Sequence, residues 1–118
     1  MKTVRLALLA LLCGQLCLAA QAKKEAPPFT GDYPRYWLDV CARCHGVNGN
    51  GRDNAGNQLP DNGFDFTDSR KAGRKKDSDW VKATLEGKDK MPAFKGKMTE
   101  EQARTMITAI IRPFGAKR

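Results

Sequence analysis

The stretch Cys41-Ala42-Arg43-Cys44-His45 decides the fold of this chain. Two cysteines three positions apart lie on one turn of a helix, so both thiols face the same side. From there they can form thioethers with the vinyl groups along one edge of a porphyrin, and His45 is then placed under the iron. The pattern C-x-x-C-H is typical of covalent haem attachment. Cys41 and Cys44 are therefore the predicted attachment sites, and His45 is the predicted proximal iron ligand.

The first 22 residues have the pattern of a secretory signal peptide. Lys2 and Arg5 precede an apolar run from Leu6 to Leu18, and Ala20-Gln21-Ala22 fits the small-residue cleavage pattern. We expect cleavage after Ala22 and a periplasmic location. The apolar run is shorter than the roughly 20 residues that a membrane span needs. An uncleaved N-terminal anchor is the alternative.

The amino-acid composition limits the classes of protein to which the exported chain can belong. Cys13 and Cys17 lie in the predicted signal peptide, so only the two motif cysteines remain, which argues against a disulfide scaffold. The chain is basic, with a formal net charge of +8 at pH 7. Nucleic acid would attract such a protein, but export argues against that partner. We expect a monomer with no membrane span after cleavage.

Helical patterns dominate the exported chain, and no segment shows the period-2 alternation of a strand. Residues 23–30, with two prolines, are predicted to be a flexible leader. The first helix is expected from about Pro34 to Arg43, with Asp32 as its N-cap and Gly46 as its end. A Gly- and Asn-rich loop follows over residues 47–62, long enough to suggest that it wraps a cofactor.

Two further helices are predicted in the second half of the chain. One is expected to begin at an N-cap at Ser78 and to end at Gly87. The last helix should run from Thr99, which opens a capping box, to Arg112, where Pro113 would stop it. We expect this helix to pack across the first one near Trp37.

A methionine and a proline in the loops complete the predicted site. Met91 lies in the loop segment Lys90-Met91-Pro92-Ala93-Phe94, and a thioether is a soft, neutral donor that suits haem iron. For a lone methionine a core packing role would be the alternative, but the loop position beside Pro92 favours a ligand. A backbone carbonyl near Pro60 is the candidate acceptor for the other ring N–H of His45. Alternatively, Pro60 only stiffens the loop.

Basic side chains surround Met91 in the sequence. If this loop lies beside an exposed haem edge, they would steer a redox partner with an acidic docking surface. A merely solvated surface is the alternative, and it is the better explanation for the second basic run, from Arg70 to Lys76. The predicted docking residues are Lys88, Lys90, Lys95 and Lys97.

The order of these motifs resembles a known family. CARCHG, the Gly-rich loop, Leu59-Pro60, the FTD triplet, KMPAF and the TEEQ that opens the last helix are together similar to class I cytochromes c of the small bacterial periplasmic monohaem type. The resemblance implies an all-α cytochrome c domain over residues 31–118, with its N- and C-terminal helices crossing around one covalent haem c. It implies His45 as the proximal ligand and Met91 as the distal ligand.

The role that the resemblance implies is a one-electron carrier, not an enzyme, between respiratory or dehydrogenase partners. Two positions depart from the usual pattern: Tyr33 stands where the family often has glycine, and no aromatic residue lies near Ile110. Other interpretations remain open. They are a haem enzyme or gas sensor with a labile Met91, a cytochrome subunit of a larger oxidoreductase, a zinc site that lacks a fourth ligand, and a dithiol oxidoreductase without the expected βαβ pattern.

Overall fold

The computed structural model describes residues 25–61 and 63–116. In this part of the chain helices alternate with irregular loops, and the β-structure is limited to isolated bridges. The all-α prediction is therefore confirmed. No helix among these residues is long and apolar enough to cross a membrane. The predicted signal peptide lies outside the described residues.

The first helical segment carries the C-x-x-C-H motif. Asp32 caps its start, because the Asp32 carboxylate accepts a hydrogen bond from the Arg35 N–H at 2.9 Å, and Gly46, with φ of 76°, ends it. Both predicted boundaries are confirmed, although the helix begins already at Tyr33. We call the unbroken run the N-terminal rod; it consists of α1 (Tyr33–Tyr36), a π-helical segment (Trp37–Cys41) and α2 (Ala42–His45).

Two helices follow the long loop, α3 (Ser69–Gly73) and α4 (Asp77–Glu86). The expected N-cap at Ser78 is wrong by two positions. The helix starts earlier because the Asp79 carboxylate accepts a hydrogen bond from the Lys76 N–H at 2.9 Å and so satisfies an amide at the helix start. The predicted end at Gly87 is confirmed.

The chain closes with the C-terminal rod, made of α5 (Glu100–Thr105), a π-helical segment (Met106–Ile111) and α6 (Arg112–Ala116). The predicted capping box is present, since Thr99 and Gln102 exchange hydrogen bonds of 2.9 and 3.1 Å. The expected stop at Pro113 is wrong. Pro113 is the second residue after the π-helical segment, where the hydrogen-bond register has already shifted, so its missing N–H disrupts the helix less than it would in a regular one.

The two rods cross at an aromatic contact, as predicted. The rings of Trp37 and Phe114 lie 5.0 Å apart, so the aromatic residue missing near Ile110 is supplied one turn later. The apolar stripe of the C-terminal rod faces inward, with Ile107 fully buried. The buried core comprises Ala26, Tyr36, Trp37, Ala42, Phe66, Val81, Phe94, Met98, Ala103, Met106, Ile107 and Ile111.

The leader is not the free tether that the sequence suggested. Ala26 is only 3% exposed and belongs to the core. The Pro27 carbonyl accepts a hydrogen bond from the Tyr36 hydroxyl at 2.5 Å, and the Phe29 N–H donates to the Lys97 carbonyl at 2.9 Å. Because Ala26 and Phe29 bury apolar surface, this segment packs on the fold instead of extending into solvent. We call residues 25–29 the N-terminal strap.

Candidate functional site

The two motif cysteines lie in the N-terminal rod, Cys41 at the end of the π-helical segment and Cys44 in α2. Cys41 and Cys44 are partly buried and neither is in a disulfide. Burial raises the pKa of the Cys41 thiol to about 12. Burial, reinforced by the Asp61 carboxylate, also raises the pKa of Cys44. A reactive dithiol needs a thiolate, so these neutral thiols do not favour the dithiol interpretation.

The imidazole of His45 is oriented by the backbone. Its Nδ1 lies 3.3 Å from the carbonyl oxygen of Phe64, so an Nδ1–H can donate to it and leave Nε2 for a metal. Burial lowers the pKa of His45, which favours the neutral, ligating form. The acceptor differs from the expected one, because it is the carbonyl of Phe64 and not one beside Pro60, which is exposed.

Gly63 explains how the Phe64 carbonyl comes so close to His45. A Cβ at Gly63 would lie 2.8 Å from the His45 Nδ1 and would also collide with the backbone of Cys44. Only glycine lets the returning chain pass directly behind the motif. Sequence reasoning missed Gly63 and Phe64; the available signal was the glycine at the end of the polar loop, immediately before the two phenylalanines of the FDF triplet.

Aromatic rings enclose His45 on the protein side. The Phe66 ring centroid is 4.9 Å from that of His45, and the Trp37 ring is 6.1 Å away. Trp80 in turn packs edge-on against Phe66 at 5.2 Å. Phe66 belongs to the buried core, and the imidazole of His45 packs against this wall of aromatic rings.

Arg112 secures the outer side of this aromatic wall. Its guanidinium lies 3.9 Å from the Trp80 ring centroid and donates to Asp77 at 2.6 Å. It also donates to the carbonyls of Ala72 at 3.0 Å and of Lys75 at 2.6 Å. One side chain of the C-terminal rod therefore holds α3, α4 and the turn between them in place.

Met91 lies in a loop, as predicted, at the end of a tight turn. Its N–H donates to the Lys88 carbonyl at 2.8 Å, and the Lys88 N–H donates back at 3.2 Å. Asp89 within the turn has a positive φ of 51°. The Met91 side chain is partly buried and packs against the same apolar core as Cys41. Its role as an iron ligand stays a prediction.

Asp61 connects the Met91 loop with the cysteine motif. One carboxylate oxygen accepts from the Cys44 thiol at 3.5 Å, and the other lies 3.7 Å from the Lys90 ammonium. Because Lys90 is the neighbour of Met91, this link shows that the loop and the motif lie side by side.

The four predicted docking lysines are not equivalent. Lys88 and Lys95 are exposed, whereas Lys90 pairs with Asp61. The Lys97 side chain is only 30% exposed and its ammonium lies 2.6 Å from the Glu25 carboxylate. Two of the four charges are thus partly neutralised, and the docking surface stays a prediction.

The residues present fit a covalently bound haem. Two neutral thiols on one helical turn could attach it, the free Nε2 of His45 could bind its iron, and a thioether is available from the adjacent loop. Within residues 25–61 and 63–116, no three His, Cys, Asp or Glu side chains are grouped so as to hold a metal ion by themselves. This disfavours the zinc interpretation.

Comparisons with known proteins agree with this site. The family model described as "Cytochrome C oxidase, cbb3-type, subunit III" matches residues 23–108. Among solved structures, the KustC0563 c-type cytochrome superposes with a TM-score of 0.56 at 25% identity, covering 70% of this chain and 96% of its own. A mutant of Kustc0563 gives 0.55 at 25% identity, with 70% and 98% covered. No curated protein sequence matches the chain at a significant level.

The match extends over most of the chain and includes the whole C-x-x-C-H motif and Met91. The helical fold and the geometry around His45 agree with it independently. The chain therefore belongs to the cbb3-type cytochrome c domain family, as a small class I-like cytochrome c that transfers electrons through a covalently bound haem.

Proposed function

We propose that this protein is a periplasmic one-electron carrier in which Cys41 and Cys44 attach one haem, with His45 and Met91 as the axial ligands. The observation that carries the proposal is the contact of the His45 Nδ1 with the Phe64 carbonyl. It commits one ring nitrogen to the backbone and leaves the other for the iron. When bound, haem supplies reversible one-electron chemistry at its iron, and a Met/His ligand pair raises its reduction potential.

The side chains of this protein would each contribute a separate part of that function. Cys41 and Cys44 would fix the group covalently, which would prevent its loss in the periplasm. His45, held by Phe64, binds the iron with a fixed ring orientation and increased basicity. Phe66 and Trp37 exclude water from the His45 side. Met91 would supply the second iron ligand, which would leave no open site for a substrate and favour carriage over catalysis.

Visible spectroscopy of the purified protein, oxidised and reduced, tests the proposed ligation. We expect a sharp reduced c-type spectrum, a weak far-red band from Met–iron(III), and no response to carbon monoxide. The Met91→Ala variant should keep its haem, lose the far-red band and bind carbon monoxide. Its potential should fall by on the order of 0.1 V, within the roughly 0.8 V range that axial ligands cover.

Met106→Leu is the matched control, because Met106 is buried in the core at 2% exposure. It should keep the far-red band and the resistance to carbon monoxide. A high-spin spectrum in the unmodified protein, or ready binding of carbon monoxide, would instead identify a ligand-binding or catalytic haem and reject the carrier proposal.

The proposed location and partners follow from sequence and charge. The family match begins at Lys23, the residue after the predicted cleavage site, which supports a signal peptide over residues 1–22.

Exposed Lys88 and Lys95 beside the Met91 loop, with Lys90 and Lys97 partly paired, would attract an acidic redox partner. Electron transfer to such a partner should slow steeply with ionic strength, and Lys88→Glu should slow it at low salt.

A subunit role is the second candidate, favoured by the description of the family as subunit III of a cbb3-type oxidase. In that case the cytochrome would work within a larger oxidoreductase. Native purification from the source cells, followed by size analysis of the haem-containing fraction, separates the two. A carrier should migrate at the size of a single small domain, and a subunit should co-migrate with other redox proteins.

A further inference from the structure

We propose that the N-terminal strap, residues 25–29, positions the Met91 loop, so that the hold of Met91 on the iron depends on a segment distant in sequence. This inference rests on the proposed function, in which Met91 is the distal ligand. It concerns which part of the chain determines how easily that ligand is displaced.

The strap is attached to Lys97, six residues after Met91 at the C-terminal end of the loop. The Phe29 N–H donates to the Lys97 carbonyl at 2.9 Å, and the Glu25 carboxylate lies 2.6 Å from the Lys97 ammonium. Lys97 is therefore held both through its backbone and through its side chain. Lys97 itself donates its N–H to the Phe94 carbonyl at 2.9 Å, so the attachment continues to the residue three positions after Met91.

The strap is also fixed to the N-terminal rod, so it can transmit rigidity. Tyr36 is the centre of this contact: its hydroxyl donates to the Pro27 carbonyl at 2.5 Å, and its ring meets Phe29 edge-on at 5.2 Å. The same Tyr36 ring packs against Phe94 at 6.3 Å. The strap, Tyr36 and Phe94 form one packed unit that links the rod bearing the cysteines to the loop bearing Met91.

The other side of the loop is anchored independently. Phe94 donates its N–H to the Thr84 carbonyl at 3.0 Å, and Lys95 donates to Leu85 at 3.0 Å, which fixes the segment to the end of α4. Met91 therefore lies between its own tight turn and an anchor that is clamped by α4 on one side and by the strap on the other. Loss of one clamp lowers the free energy needed to open the loop.

The test compares haem-loaded proteins that begin at Lys23, at Glu25 and at Thr30, with imidazole as the competing ligand for the ferric iron. The apparent affinity for imidazole reports the fraction of molecules in which Met91 has left the iron. We expect it to rise about tenfold when the strap is removed and to change less than about twofold when only Lys23 and Lys24 are removed. The far-red band should weaken only in the form that begins at Thr30.

Point variants keep the test decisive if the shortened chain does not fold. Tyr36→Phe removes the hydrogen bond to Pro27 but keeps the ring packing, and it should raise the apparent affinity about two- to threefold. Ile107→Val is the matched control, because it creates a small cavity in the C-terminal rod and so lowers thermal stability without touching the strap. Its imidazole affinity is compared with that of the strap variant whose melting temperature falls by a similar amount. Ile107→Val should leave imidazole binding unchanged.

Each outcome decides the proposal. Unchanged imidazole affinity and an intact far-red band in the strap variants would overturn it while leaving the His45/Met91 ligation in place. An equal increase in Ile107→Val would also overturn it, because the strap would then act only through global stability. Absence of the far-red band in the protein that begins at Lys23 would reject the ligation, and the strap inference with it.

Discussion

His45 and Met91 are the two proposed iron ligands, and the structure supports them in different ways. His45 ends a helix, is hydrogen-bonded to the Phe64 carbonyl and packs against the tilted ring of Phe66. Met91 ends a four-residue turn and depends on backbone hydrogen bonds of that turn and of the segment after it. One proposed ligand is held by a backbone carbonyl and aromatic rings, and the other is carried by a loop that is attached at its ends.

This difference predicts that the His45 side and the Met91 side control different properties of the protein. The His45 side combines helix, aromatic wall and glycine-mediated backbone approach, so it should tolerate few changes. The Met91 side has local turns and exposed lysines, and loops of this kind open at lower free energy than packed cores. We expect changes on the His45 side to affect stability and haem retention, and changes on the Met91 side to affect ligand exchange.

The largest effect should come from removing both attachment points. Cys41→Ser combined with Cys44→Ser leaves no thiol to form a thioether, so the protein should contain no covalent haem. Haem staining after denaturing electrophoresis measures this directly. Cys44→Ser alone is the control, since Cys41 can still form one bond and some stain should remain. Full staining of the double variant would contradict the assignment of this motif.

The next largest effect should come from the glycine behind His45. In Gly63→Ala the new Cβ would meet the His45 ring nitrogen at 2.8 Å and the Cys44 backbone, neither of which can move easily. We expect a loss of about 2 to 3 kcal/mol in the free energy of unfolding, measured by denaturant titration of the haem-loaded protein.

Gly73→Ala is the matched control for this substitution. Gly73 lies in α3, and a Cβ added there would meet no atom within 4 Å. Because alanine restricts the unfolded chain without a native clash, this change should be neutral or stabilising by up to about 1 kcal/mol. Equal destabilisation by both substitutions would show that the close approach behind His45 is unimportant.

Local features of the fold could be predicted from the sequence, whereas contacts between distant residues could not. The cap at Asp32, the box at Thr99 and the stop at Gly46 depend on neighbours within a few residues, and these predictions are confirmed. The acceptor at Phe64 and the packed strap depend on contacts between residues far apart in the chain, which local patterns do not encode. The predicted helix end at Pro113 was wrong because the usual helix-breaking effect of proline is offset by a π-helical segment, which cannot be recognised from the sequence.

Substitution of Arg112 measures how much the contacts behind the aromatic wall of His45 contribute to stability. Arg112→Met removes the bonds to Asp77 and to the carbonyls of Ala72 and Lys75, leaving a partly buried carboxylate and two carbonyls without this partner. We expect a loss of about 2 kcal/mol in the free energy of unfolding. Arg104→Met, which breaks an exposed pair with Glu100 on one helix face, should cost only about 0.3 to 0.5 kcal/mol. Equal losses would mean that Arg112 is an ordinary surface residue.

The smallest effect is expected on the Met91 side, at the ion pair of the strap. A hydrogen bond and the attraction of Lys97 lower the pKa of Glu25 from its usual 4.5. A carboxyl whose pKa is lower in the folded state stabilises the fold above its unfolded pKa, and this contribution is lost as the pH falls through its folded pKa. Glu25→Gln should therefore lower the melting temperature slightly at neutral pH, by at most about a degree.

The melting curves should converge as the pH falls below 4.5, and added salt should reduce the difference at neutral pH because both groups are reached by solvent. The substitution should also leave haem attachment unchanged, since Glu25 contacts the Met91 side and not the cysteines. A difference that persists unchanged in acid would mean that Glu25 acts through packing and not through its charge. That result would leave Phe29 and Tyr36 as the residues by which the strap holds the loop.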